Sequence, residues 1–215
     1  GQGLQYRLSK VENPTFDSRR RNAFLSRDDA RRVGESIRQL FFEARSALPR
    51  RVVIHKRTEF RRDEREGLIE GLAGVDEVDM IEILVDDAFR YVNSKLVSGK
   101  VQVDGFPVAR GTVIPTSDNE ALLWVHGSAA AIRNNWRYYQ GKRRIPAPLL
   151  IRRHAGSTDL HTIATEVLGL SKMNWNSFDL YTQLPATIET SGQIARIGRL
   201  MEGYGEASYD YRMLM

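Results

Sequence analysis

The sequence predicts a mixed α/β fold in which one sheet is flanked by helices. Three observations carry that expectation. Residues 26–85 alternate helical and strand-like apolar patterns, residues 91–125 break into short apolar pieces between glycines and prolines, and a late apolar run at 149–151 precedes another helical stripe. Helix-strand alternation requires crossovers and hence parallel pairing, whereas the short pieces read as antiparallel hairpins.

In chain order, residues 3–11 read as a strand, and residues 13–22, polar, arginine-rich and interrupted by Pro14, read as a loop. Ser26 is placed to cap a helix whose first turn holds Asp28 and Asp29, where acids suit the helix dipole. Ala30, Val33, Ile37, Phe41, Ala44 and Leu48 recur at three- and four-residue spacings and predict its buried face, with Pro49 ending it. Residues 52–54 form a β-branched run suited to a buried strand. A second helix is expected over 62–73, with Leu68, Ile69 and Leu72 on one side and Gly74 as its stop.

Residues 78–85 read as the next strand, and 121–125 as the last strand of the hairpin region. A basic loop from Gly141 feeds a strand at 149–151. Leu160, Ile163, Ala164, Val167 and Leu168 mark a helix, and a final helix is expected over about 191–201. No repeat, low-complexity segment or proline- or glycine-rich linker divides the chain, so one globular unit is expected.

Composition narrows the function classes. The chain has 215 residues, 41% of them hydrophobic, enough to bury a sizeable core. It has no cysteine, which removes disulfides, thiolate metal sites and cysteine nucleophiles and suits the cytoplasm. No apolar run approaches the ~20 residues that cross a bilayer, and residues 1–10 lack a signal-peptide layout. The net charge of +5 is carried largely by clustered arginines, whose forked guanidinium groups match phosphate oxygens. A polyanionic partner fits that pattern, as does a solvated basic surface.

Four segments, in this order, resemble the prokaryotic Argonaute family. The first is Leu48-Pro49-Arg50-Arg51-Val52-Val53-Ile54-His55-Lys56-Arg57-Thr58, followed by Phe60, Glu64 and Gly67; the second is the run from Val78 to Ile83. The third joins Arg110-Gly111-Thr112 to Leu123-Trp124-Val125-His126-Gly127, Gly141 and Ile145-Pro146-Ala147-Pro148-Leu149. The fourth, the most specific, is Leu168-Gly169-Leu170-Ser171-Lys172-Met173-Asn174-Trp175-Asn176-Ser177, then Leu184-Pro185-Ala186-Thr187-Ile188 and a closing helix.

The resemblance covers nearly the whole chain and implies the C-terminal part of a PIWI domain, an RNase H-like mixed sheet flanked by helices. On that reading 1–25 is a strand and loop lead-in, 26–90 the RNase H-like core, 91–145 a β-hairpin insertion and 146–215 the C-terminal strand and helices. The family's MID domain, which holds the guide's 5′ end, and the PIWI strands bearing the first catalytic aspartate are then expected on another segment or chain. The sequence would be a fragment, a split-gene subunit or one piece of a nicked protein.

The resemblance also implies an inactive nuclease. RNase H-like cutting needs carboxylates converging on two divalent metals. Arg57 stands where the family's second aspartate follows its strand, and Ser191 and Gly192 stand where its last ligand falls. Glu59, Asp63 and Glu64 read as an acid-rich helix start. His55, His126, His154 and His161 have no i,i+4 pairing and no carboxylate at a motif spacing, and read as structural or surface residues. No catalytic residue is therefore assigned.

Binding is expected at Lys172, Asn174 and Asn176, a point charge and two amides suited to holding phosphates without reading bases. The same asparagines also suit a helix end or tight turn, and Trp175 suits a core. Arg196 and Arg199 lie three apart on the last helix, away from Ile194, Ile197 and Met201, and Lys142 and Arg143 belong to the basic loop that runs close to nucleic acid in relatives. In many relatives the terminal carboxylate helps bind Mg²⁺ at the guide's 5′ phosphate, a role that would fall to Met215 if it is the natural terminus. The implied partners are a guide RNA or DNA, a complementary target DNA, the segment or chain supplying MID and the missing strands, and an effector protein in defence against invading DNA. Two other readings stay open: a guide-directed endonuclease whose acids come from a missing segment, and a PIWI-like protein-interaction platform.

Overall fold

The computed structural model describes residues 5–8, 11–17, 22–130, 137–138, 145–173, 182–200 and 207–210. Three short strands, β1 (Gln5–Leu8), β2 (Thr15–Asp17) and β3 (Asn22–Phe24), lead into α1 (Arg27–Arg45), β4 (Arg51–Lys56), α2 (Arg62–Gly71) and β5 (Glu77–Val85). Then come β6 (Ser94–Val97), β7 (Lys100–Val103), β8 (Val113–Ser117), β9 (Glu120–Leu123), β10 (Ala129–Ala130) and β11 (Arg137–Tyr138). The chain continues through β12 (Leu149–Ala155), α3 (Leu160–Leu170), α4 (Ala186–Leu200) and β13 (Ala207–Asp210).

The fold is a five-stranded mixed sheet flanked by helices, with strand order β4-β5-β12-β9-β8. Strands β4 and β5 are parallel, Val52 beside Val78 and Ile54 beside Met80, while β9 pairs antiparallel with both β8 and β12. Among the described residues no helix is long and apolar enough to cross a membrane. The chain forms two compact units: the first comprises Gly1–Glu82, His154–Ser157 and Ile188–Met215, the second Ile83–Arg153 and Thr158–Thr187.

In the first unit, Ser26 caps α1 by accepting the N–H of Asp29 at 3.1 Å. The helix stops at Arg45, ahead of Pro49, because Ser46 turns left-handed (φ 52°) and gives its N–H to the Phe42 carbonyl at 2.7 Å. Helices α1 and α2 pack through small residues: a Cβ on Gly34 would sit 2.9 Å from the Leu68 carbonyl oxygen, and one on Gly67 or Gly71 would overlap the carbonyls of Arg27 and Arg31. The packing advances from Arg27 at Gly67 to Arg31 at Gly71 and ends where Arg38 bonds the Ala73 carbonyl at 2.8 Å. Phe41 and Leu48 fall beyond the end of α2 and are exposed, so the predicted stripe narrows to its N-terminal half. Ile69 is also exposed, at 54%, leaving Leu68 and Leu72 to face the core. That core is Ala30, Phe60, Leu68 and Met80.

The segment expected to be a loop over 13–22 instead holds β2 and the first residue of β3, which pair antiparallel with Phe16 beside Ala23. Pro14 precedes β2, where it removes no ladder bond. Arg61 holds the pair from the side, bonding Asp17 at 2.9 Å and lying 3.8 Å over the Phe24 ring. This anchoring group is far away in sequence, so no local apolar alternation announces the strands.

In the second unit, Val108, Leu122 and Trp124 form a core, and Trp124 donates its indole N–H to the Pro146 carbonyl at 3.2 Å. Helix α4 begins at Ala186, directly after Pro185, five residues earlier than the sequence suggests; a proline at a helix start costs no hydrogen bond. Strand β12 runs to Ala155, four residues past the apolar run that announced it.

Candidate nucleic-acid interface

Within the second unit, the end of α3 is fixed by an arginine 61 residues earlier in the chain. Arg110 donates to the Ser171 hydroxyl at 2.8 Å and to the Leu168 carbonyl at 3.4 Å, and the Ser171 hydroxyl donates to that same carbonyl at 2.6 Å. Gly111 has φ +87°, and a Cβ there would sit 3.0 Å from Leu168, so glycine is what lets this turn lie against α3. The N–H of Thr182 bonds the Ser171 carbonyl at 2.9 Å, and Gln183 reaches the Ala147 carbonyl at 3.2 Å.

Ser171 and Thr182 are therefore held together beside the end of α3. Lys172 stands exposed there, with no ion pair to a described residue. At the opposite end of α3, Asp159 caps the helix: the Thr162 hydroxyl and N–H bond its carboxylate at 2.6 and 2.9 Å and hold its pKa below the ordinary value.

In the first unit the ionisable groups beside the sheet hold one another. Asp79 is fully buried on β5 and accepts from Arg51 at 2.7 Å; Gly156 (φ +100°) crosses so close that any Cβ would overlap its carboxylate. Glu82 meets His154 at 2.9 Å. Buried Glu64 accepts Lys56 Nζ at 2.6 and 2.7 Å and the N–H groups of Leu25 and Arg61 at 2.9 and 3.0 Å. Lys56 also lies 4.7 Å from the Phe24 ring centroid. Among the described residues no three His, Cys, Asp or Glu side chains gather as a metal site. Arg57 is exposed just past β4 and ion-pairs with no described residue.

No family model matches the sequence, and no curated protein does. Solved structures do match. One is a crystal structure of Aa-Ago with externally bound siRNA, at TM-score 0.61 and 17% identity over 96% of this chain and 24% of that one. The fold is Argonaute-like. A second is Clostridium butyricum Argonaute bound to a guide DNA with a 5′ deoxycytidine and a 19-mer target DNA, at TM-score 0.63 and 15% identity over 88% of this chain and 22% of that one. The chain thus spans about a quarter of the length of the structures it matches.

Of the residues that the sequence nominates for this Argonaute-like fold, Lys172 is exposed beside the clamped end of α3 and Arg196 is exposed on α4. Asn174, Asn176, Trp175, Lys142, Arg143 and Met215 lie outside the described residues, as does the side chain of Arg199. Ile194 is buried on α4, but Ile197 is 40% exposed, so the apolar side of that helix is narrower than its spacing suggests. Because α4 starts early, Ser191 and Gly192 sit in its second turn instead of at its start. Sequence reasoning missed the roles of Arg110, Asp79 and Glu82, whose partners lie 28 to 72 residues away and leave no local pattern.

Proposed function

We infer that the chain grips a guide strand and its paired target as the C-terminal, RNase H-like part of an Argonaute PIWI domain, and that it cuts neither. The observation that carries this reading is the likeness of nearly the whole chain to Argonaute structures bearing siRNA or guide and target DNA. In this role the protein holds backbone phosphates and base pairing reads the sequence. Lys172, with Asn174 and Asn176 following it, supplies the first such grip from the clamped end of α3. Arg196 supplies a second charge, with Arg199, Lys142 and Arg143 assigned to the same task from the sequence.

The absence of cutting rests on residues present. Arg57, at the place of an expected ligand carboxylate, repels a divalent ion, and Gly192 has no side chain to coordinate one. Asp79, Glu82 and Glu64 are each bonded to a basic side chain. If Met215 is the natural terminus, its carboxylate would supply an anionic oxygen to Mg²⁺ beside the guide's 5′ phosphate; this assignment comes from the family resemblance. The setting proposed is cytoplasmic, with MID and the remaining PIWI strands supplied by another segment or chain, and with an effector acting on invading DNA once it is marked.

The test loads the chain, joined with the segment that supplies MID, with a 5′-phosphorylated guide, and offers complementary and scrambled targets in Mg²⁺. Retention of intact complementary target, with scrambled target washed away, is expected. Cleaved target would refute the inactive reading, and equal loss of both targets would refute guide-dependent binding.

A further inference from the structure

The hairpin of β6 and β7 contributes nothing to the core of its own unit. All eight of its strand residues are exposed, including Leu96 at 75%, Val101 at 69% and Val103 at 67%, and among the described residues it belongs to a two-stranded sheet of its own. Ser98 and Gly99 close it with φ of +51° and +76°, the tight turn that matches strand twist. Leu96 pairs with Val101 and Ser94 with Val103, giving one mostly apolar face; Lys95, Val97, Gln102 and Lys100 lie on the other. An isolated two-stranded hairpin is marginal in water, and an exposed apolar edge is a template for another strand.

We propose that the outer edge of β7 is a self-association surface, pairing antiparallel with β7 of a second copy about a two-fold axis at Gln102. The backbone fixes which groups are available. Asp104 gives its N–H to the Asn93 carbonyl at 2.8 Å, so by alternation residues 100, 102 and 104 face β6, and the N–H and C=O groups of Val101 and Val103 face outward. Centring the pair on Gln102 sets Val101 opposite Val103 of the second copy and joins both through those outward groups. The result is a continuous four-stranded antiparallel sheet.

The side chains select the same register. Lys100-Val101-Gln102-Val103-Asp104 is positive at one end and negative at the other, so reversed against itself it sets each Lys100 opposite Asp104 of the second copy. Those pairs fall at the narrow, non-hydrogen-bonded positions, where side chains approach most closely. Asp104 accepts the Phe106 N–H at 3.2 Å, which holds its carboxylate at the end of β7. On the opposite face Leu96, Val101 and Val103 of both copies form one apolar band. The self-matching charge order is what favours a second copy over an unrelated strand.

The test is sedimentation equilibrium of the full chain and its variants without nucleic acid. Wild type is expected to dimerise reversibly. Lys100→Glu and Asp104→Lys, each setting like charges opposite one another twice, are each expected to weaken the dimer roughly tenfold or more. Mixed in equal amounts, these two variants are expected to associate with each other as wild type does, because every facing pair is then opposite in sign; a merely structural defect would not be repaired this way. Val103→Pro removes an outward N–H without touching the ladder to β6 and is expected to weaken the dimer as well. A monomeric wild type, single variants that dimerise normally, or a mixture that stays monomeric would each overturn the proposal.

Discussion

Glu64 stands in a stretch that looks acidic enough for metal binding, yet its carboxylate is consumed by Lys56, Leu25 and Arg61. Replacing Lys56 with alanine leaves that buried charge without its counter-ion and is expected to cost about 3 kcal/mol, read from the urea midpoint. Asp29 behaves differently. Burial pushes its pKa up, but the N–H of Asn13, the Ser26 hydroxyl, the N–H of Glu12 and Arg32 together hold it below the ordinary aspartate value. A folded-state pKa below the unfolded one adds stability that is complete above the unfolded value and is lost as pH falls through the folded one. Asp29→Asn is therefore expected to flatten the acid limb of a stability-pH curve, and an unchanged limb would contradict that assignment. The Ser26 cap could be read from sequence because capping is local. For Glu64 only the bond to the Arg61 N–H is local; Lys56 and Leu25 meet it once β4 and the residues before α1 pack against α2.

At the scale of elements, α1 and α2 approach so closely that glycine is required at the crossing. Gly67→Ala and Gly71→Ala are each expected to destabilise the chain by about 1–3 kcal/mol or more, since the new methyl group meets backbone that cannot rotate away. Gly192 is the contrasting case: it lies inside α4, and a methyl group added there would meet nothing within 4 Å, so Gly192→Ala is expected to stabilise by roughly 0.5–1 kcal/mol. Thermal melts of the three variants separate the two behaviours. The helix start at Ser26 carried a visible signal, whereas α1 ended at Ser46 through a left-handed turn that serine rarely announces. The start of α4 was hidden because Thr187, Thr190 and Ser191 make its first turns look like loop.

For the whole molecule, a mixed sheet flanked by helices was legible because strand and helix periods alternate in the first part of the chain and hairpin punctuation follows. The order β4-β5-β12-β9-β8 was not, since it depends on a strand at 149–155 inserting between β5 and β9. The candidate site was legible only as charges, with the clamp by Arg110 set by packing at long range. The central claim is that these charges hold nucleic-acid phosphates, and it is tested most directly by the salt dependence of guide binding. With the chain joined to the segment that supplies MID, affinity for a 5′-phosphorylated guide should fall steeply as salt rises, and Lys172→Ala should reduce the logarithmic slope by about one. Binding that ignores salt, or a Lys172→Ala slope equal to that of wild type, would contradict the account.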